Sequence, residues 1–465
     1  MKTVKFTTIA IFIAFLTACN VTKVETQSTV TLPTQFEQTA QATGSQNVQQ
    51  WWQNWQDPQL SRLIEQGLQN NLDIALAQTR LKEAQANSQY AEADMGVNVG
   101  LNGSVSGGIS NINSGIINPS SSRSGGGYGG FSAAWEPDIF GQKRSDADAA
   151  YYAALGQQEQ LYGTQLLVAS QIADNYFKIF ATEQQKALIS QNLTVLAELQ
   201  RYIQGRFNAG QATAYEVNEI AAQITALQAK QTTLTAQAVS FERNIAILLG
   251  QTPQGFHLVK QGNPLAKIPN PPAGQQPSDV INRRPDLRAN AQQIRAYSAK
   301  LASAKADLLP RFDIQFLGQG GRIELNNDLS HLSGIGSFVS AGVQLPIFTN
   351  GRIEANIDAA DARLKGAVIQ YDKTLLTALA EVDNSYQMQQ SLARQTALLT
   401  KTVQQAQKQA KDSQLLFKHG DKTLDVALRA QISALNYQEQ LVQSNLSAAQ
   451  NMIHLYKALG GGWYK

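Results

Sequence analysis

Hydrophobic positions along the chain alternate between two spacings. Leu60, Leu63, Ile64, Leu68, Leu72, Leu76 and Leu81 recur at helical intervals up to about Asp94. The spacing then changes. Over 98–110 the apolar residues Val99, Leu101, Val105 and Ile109 alternate with Asn98, Asn102, Ser104, Ser106 and Ser110, the period of a strand with two different faces. Phe131, Ala133 and Trp135 place a second strand at about 127–136. A proline-free helical stretch from Gln142 to about Arg206 follows, which at 1.5 Å per residue is ~98 Å long. Another helix is predicted over 214–249, at ~54 Å.

The same order then repeats about 210 residues later. Helical spacing over 286–309 leads into Phe312, Ile314 and Phe316, and then into Val339, Ala341, Val343 and Leu345, each set alternating with polar residues or glycine. These predict strands at about 311–321 and 337–346, followed by helices from Gly351 to Phe417 and from Leu424 to Leu459. Short landmarks repeat too. Pro137-Asp138-Ile139-Phe140 matches Pro346-Ile347-Phe348, Phe207-Asn208-Ala209-Gly210 matches Phe417-Lys418-His419-Gly420, and Leu249-Gly250 matches Leu459-Gly460. A duplication of this length means one structural unit built twice in tandem. Residues 58–250 form the first copy and 285–465 the second, with a proline-rich linker at 251–284.

The N-terminus carries Lys2 and Lys5 ahead of the apolar run Phe6 to Leu16, which is too short to span a bilayer as a helix. Residues 1–18 therefore read as a signal peptide. The run ends at Leu16-Thr17-Ala18-Cys19, which resembles a bacterial lipobox and marks Cys19, the only cysteine in the chain, as the lipidated residue. Acyl chains contribute about 0.8 kcal/mol per buried methylene, so two or three make a firm anchor. Asn20, in place of an inner-membrane-retaining Asp, favours outer-membrane lipid as the destination. Residues 19–57 are expected to be a lipidated tether, with Asp57-Pro58 starting the first helix.

Net charge is +3 and falls to +1 without Lys2 and Lys5, which gives no electrostatic footprint for nucleic acid. His257, His331, His419 and His454 are scattered without metal spacing, and no nucleophile elbow or phosphate loop occurs. The chain is expected to be no enzyme and to need no cofactor.

After the signal there is no long apolar run, so any membrane crossing must be made by strands. A small soluble sheet lying on helices is the alternative reading. Against it, the polar face is Ser, Gly, Asn and Gln rather than Lys and Glu, as suits a pore lining, and Tyr128, Trp135, Phe312 and Phe338 are expected near strand ends as an interfacial girdle. Four strands cannot close in lipid, where an open edge is not tolerated. A dimer would give eight strands and a trimer twelve; the latter leaves an open lumen more readily.

Several segments together resemble the TolC-like outer-membrane efflux proteins, in particular the lipoprotein branch that serves tripartite pumps. They are Trp51-Trp52 through Asp57-Pro58, Asn71-Leu72-Asp73, Trp135 to Gly141, Arg283-Arg284-Pro285-Asp286-Leu287-Arg288, Leu309-Pro310, and Leu345-Pro346-Ile347-Phe348 with Gly351-Arg352. The resemblance implies a mixed α and β fold with a tandem internal repeat. In it, a homotrimer forms a twelve-stranded transmembrane β-barrel that continues into a long twelve-helix periplasmic α-barrel. It also implies two protein partners, a periplasmic adaptor (membrane fusion) protein and an inner-membrane proton-driven transporter. Conduction would be passive, through a tunnel opened when the inner helices at the Phe417 turn untwist.

The two turns ending in Gly210 and Gly420 correspond to the family's periplasmic tip, and Glu216, Asp421 and Asp425 are expected to line or brace the constriction there. Where the family usually carries Leu-Asp-Val after each turn, the first copy has Tyr215-Glu216-Val217; Arg429 stands where an acidic residue is common. The plainer reading makes these acids solvated residues that favour a helix start. Two other functions fit the same features: type I protein secretion, and a lipid-anchored periplasmic coiled-coil scaffold or adaptor. Exported cargo could be a drug, a metal or an organic acid.

Overall fold

The computed structural model describes residues 28, 30–37, 47–114, 117–325 and 330–461. The expected signal peptide, Cys19 and much of the tether lie outside the described residues. The first copy comprises α1 (Pro58–Asn70), α2 (Leu72–Ala93), β1 (Asn98–Ser114), β2 (Ile117–Trp135), α3 (Gln142–Asn208) and α4 (Ala214–Leu248). The second comprises α5 (Pro277–Arg283), α6 (Pro285–Ala306), β3 (Arg311–Leu325), β4 (Ser330–Gln344), α7 (Arg352–Lys418) and α8 (Leu424–Ala458). Equivalent helices match in length: α3 and α7 have 67 residues each, α4 and α8 have 35, and α2 and α6 have 22.

Three expectations from the sequence are corrected. The first helix is broken at Asn71, whose backbone is extended. The Asn71 carboxamide oxygen accepts from Asp73 N and Ile74 N at 2.9 and 3.1 Å, capping α2, and its Nδ2 donates to Leu248 O. An Asn able to cap competes with helix continuation, and here capping wins. Second, Pro277–Arg283 is helical although it falls in the stretch assigned to the linker; Pro277 at its first position suits the missing N–H. Third, the tether contains core residues. Phe36, Val48, Trp51 and Trp52 are buried, and the latter two lie in a 3-10 turn, Trp51–Trp55.

The chain divides into two compact units. The first is built on Leu81–Gln157 and Asn290–Tyr371, the second on Thr29–Arg80, Gln158–Ala289 and Asp372–Lys465. In the first unit, the α6 residues Ile294, Leu301 and Ala304 form a core with Ala360, Leu364 and Ala367 of α7. In the second, Trp51 stacks on Tyr456 at 5.6 Å between ring centroids and Trp55 meets Phe177 at 5.3 Å. Asp57 caps α1 through one carboxylate oxygen, while the other accepts from the Tyr176 hydroxyl at 2.7 Å.

The first unit also holds the sheet, an antiparallel meander in the order β1-β2-β3-β4. Its strands are 15–19 residues long, beyond the ~9–11 needed to cross a bilayer at a tilt. They run past the alternating stretches because the Gly- and Ser-rich outer halves can pair through their backbones without an apolar pattern.

Candidate channel wall and helical tip

Register assigns every strand residue to one of two faces, because directly paired residues project the same way. Leu101 pairs with Phe131, which pairs with Gly318, which pairs with Ser337. Followed along the strands, this face collects Val99, Leu101, Val105 and Ile109 of β1, Phe131, Ala133 and Trp135 of β2, Phe312, Ile314 and Phe316 of β3, and Ile335, Val339, Ala341 and Val343 of β4. The face is uncovered: Leu101 is 88% exposed, Val105 93% and Ile335 96%. The opposite face carries Asn98, Asn102, Ser104, Ser106, Ser132, Asp313, Gln315, Gln319 and Ser340, with Tyr128, Leu317 and Phe338 among them.

This corrects half of the expected aromatic girdle. Trp135 and Phe312 lie at strand ends on the apolar face, and the indole N–H of Trp135 donates to Met95 O at 3.2 Å. Tyr128 and Phe338 lie in mid-strand on the polar face. Gly321 makes room for Tyr128, since a Cβ there would lie 2.7 Å from Gly127 O and 2.8 Å from Tyr128 Cβ. In sequence a lone aromatic is assigned to the nearest visible strand end, and these two strands extend further than the alternation reveals.

The tip residues belong to the second unit. Both turns close with the same pair of backbone bonds. Gly210 N donates to Phe207 O and Gln211 N to Arg206 O; Gly420 N donates to Phe417 O and Asp421 N to Leu416 O. That motif needs a left-handed residue, supplied by Gly210 at φ +71° and Gly420 at φ +83°. The helix starts after the two turns differ. Glu216 forms a reciprocal capping box with Thr213, accepting from its backbone N–H at 2.8 Å while Glu216 N donates to Thr213 Oγ1. Those bonds, with Arg206 and Arg429 adding attraction, hold the Glu216 carboxyl below the usual range. At the equivalent start of α8, Thr423 makes no side-chain cap, and the position matching Glu216 is Val426, which cannot supply the reciprocal bond.

Asp425, in the first turn of α8, has one carboxylate oxygen sequestered from solvent with no hydrogen-bond partner among the described residues. Asp421 is exposed in the turn. Arg429 does not join these two. It pairs with Glu219 of α4 at 3.8 Å, close to Glu216. Beneath the turns, Leu196, Leu199 and Ile203 of α3, Ile220 of α4, and Leu428 and Leu435 of α8 form one core. Missed in the sequence was the function of Arg284. Its guanidinium binds Asp286 through two nitrogens at 2.7 and 3.0 Å, Glu381 at 2.7 Å and Ala458 O at 3.2 Å, tying α6 to α7 and α8. The Arg284–Asp286 pair is therefore a clamp between these helices.

A sheet with one lipid-compatible face and one hydrated face, joined to duplicated helices, agrees with the comparisons. The model of the outer membrane efflux protein family matches residues 63–251 and 276–461. The pyoverdine export outer membrane protein OpmQ of Pseudomonas aeruginosa is 27% identical over 461 residues, covering 96% of this chain and 95% of that protein. The cation efflux system protein CusC of Escherichia coli is 25% identical over 96% of each chain. Among solved structures, the outer-membrane channel OprN superposes with a TM-score of 0.80 at 23% identity, over 96% of this chain and 100% of that one. The open state of the Neisseria gonorrhoeae MtrE outer membrane channel gives 0.77 at 22% identity, over 94% and 97%. The chain belongs to the outer membrane efflux protein family, as an outer-membrane efflux channel component.

Proposed function

We propose that three copies of the chain close their four strands apiece into one twelve-stranded barrel, which is the passive outlet of a tripartite pump. The observation that carries this reading is the uncovered apolar face of a sheet whose β1 and β4 edges have no partner strand among the described residues. In hydrocarbon each free edge would leave backbone groups unpaired, at several kcal/mol per group, so association is obligatory there. Among the described residues no helix is long and apolar enough to cross a membrane, which leaves spanning to the sheet. The lipobox-like ending at Cys19 supports an acyl anchor in the same membrane.

Export energy would come from an inner-membrane proton-driven transporter, reached through a periplasmic adaptor that engages the Gly210 and Gly420 turns. Relatives are named for pyoverdine, toluene, antibiotic and cation export, as suits a wide outlet that leaves selection to the pump. The test is to extract the full-length chain in mild detergent, weigh the assembly, and insert it into planar bilayers. A mass of three chains with discrete aqueous conductance is expected; a monomer that inserts without current would end the proposal.

The gate reading rests on the tip. Asp425, Asp421 and Glu216 each occur three times around a threefold axis, where carboxylate rings attract cations. The sequestered oxygen of Asp425, without a hydrogen-bond partner among the described residues, favours that residue most. Asp425→Ala is expected to raise single-channel conductance; unchanged currents would remove Asp425 from the constriction.

A further inference from the structure

The polar face of the sheet carries almost no charge. Among the described residues, register places no Asp, Glu, Lys or Arg on it from β1, β2 or β4, and from β3 only Arg311 and Asp313. The two are held differently. Arg311 donates through Nη2 to Asp307 at 3.0 Å, so its charge is matched locally. Asp313 has no such counter-ion among the described residues; its carboxylate accepts from the neutral carboxamide of Gln315 at 3.4 Å. The acid lies over the bare backbone of Gly342 on β4, where an added Cβ would fall 2.3 Å from Asp313 Oδ1. Beside it, a hollow of about 440 Å³ is lined also by Asp94, Glu136 and Lys143, and Lys143 pairs with both of those acids, at 3.2 and 3.4 Å. Three carboxylates thus share one ammonium at this end of the sheet.

We propose that Asp313 makes the barrel prefer cations over anions among the solutes it conducts. The inference rests on the channel reading above, which turns this face toward the lumen and repeats Asp313 three times around it. Twelve strands about 4.8 Å apart, tilted by about 40°, close at a radius of about 12 Å. A carboxylate reaching about 4 Å inward then lies about 8 Å from the axis, inside the screening length of about 10 Å at about 0.1 M salt. Three such charges enrich a monovalent cation on the axis about threefold and deplete an anion as much. Position adds to the effect, because Asp313 is the third residue of β3, at the end of the strand that follows α6. Every solute entering the barrel from the helix side passes this ring, and the uncharged rows beyond it do nothing to cancel its field. Asp313 and the tip acids belong to different compact units, so the two sets of carboxylates can be altered separately.

The test measures reversal potentials of the full-length lipidated chain in planar bilayers, under a gradient of KCl around 0.1 M. Wild type should pass potassium about threefold better than chloride, and the preference should fade near 1 M, where the screening length drops to about 3 Å. D313N should lose at least half of the preference at the lower salt. D313N/Q315D, which returns a carboxylate to the next position on the same face, should recover it, as a variant damaged in folding would not. A wild type without preference, a preference undiminished at high salt, or D313N channels that select like wild type would each overturn the inference. Those results come from channels that conduct, so they would remove the selectivity residue alone. A wild type that inserts without current would instead end the channel reading, and this inference with it.

Discussion

At the residue scale, the Arg284 clamp shows how buried charge is used in this molecule. Burial pushes the Asp286 carboxyl up, but its bonds to the Arg284 guanidinium outweigh that and hold it below the ordinary carboxylate range. A carboxyl depressed on folding stabilises the fold above its unfolded value of about 3.9, and the contribution disappears as pH falls through the lower folded value. The guanidinium itself is nearly enclosed, whereas Asp286 and Glu381 are partly open to water, which screens the pair. Arg284→Met should therefore cost about 1–3 kcal/mol at neutral pH. Its thermal midpoint should approach that of wild type as pH drops below about 4. A gap of constant size across that range would rule out the carboxylate pairing as its source.

Glycines separate by the same reasoning. Gly250 at φ +68° has no room for a Cβ, which would lie 2.4 Å from Asn70 O, whereas Gly210 at φ +71° opens on empty space. Gly210→Ala should cost about 1 kcal/mol for the left-handed backbone alone. Gly250→Ala should cost visibly more, and equal melting shifts for the two variants would contradict the geometry.

At the element scale, the two copies are alike in length and unlike in how their tips are fastened. The capping box of Thr213 and Glu216 secures α4, and α8 lacks its counterpart because Val426 offers no acceptor. If the tip is the gate, as proposed above, opening at the Phe417 turn would have the less firmly fastened helix start to work with. Val426→Glu should rebuild the box, slow amide exchange over 423–427, and lower the frequency of spontaneous opening in planar bilayers. Faster exchange would show that the cap does not form.

This scale also shows what the sequence could reveal. The long helices were legible because stretches such as Gln142 to Arg206 carry no proline, and the alternating halves of the strands because Val99 to Ile109 repeat a simple period. The break at Asn71 was not, because its cause is a carboxamide that caps α2 and reaches Leu248 O, 177 residues away. Val48 likewise lies against Gly461, far along the chain. Arg429 turned toward Glu219 rather than Asp425, a choice between two acids that spacing leaves open.

At the scale of the whole molecule, the sheet is the element that a single chain leaves unfinished. Its apolar face is bare, its polar face suits water, and its two edges are unpaired among the described residues. The long helix of the second copy points the same way: Ile369, Leu376 and Leu398 of α7 are exposed, each at more than half of its surface. Neighbouring copies that complete the sheet would also be available to cover such residues.

The most direct measurement uses adjacent β1 positions, Ser104 on the polar face and Val105 on the apolar face. Ser104→Cys and Val105→Cys are made separately and reconstituted in vesicles; the only native thiol, Cys19, is expected to be lipidated. The account predicts that a membrane-impermeant maleimide modifies the cysteine at 104 and leaves the one at 105 untouched, while a lipid-soluble reagent does the reverse. Equal reaction of both positions with the water-borne reagent would mean that the sheet never enters the bilayer, and would contradict the account.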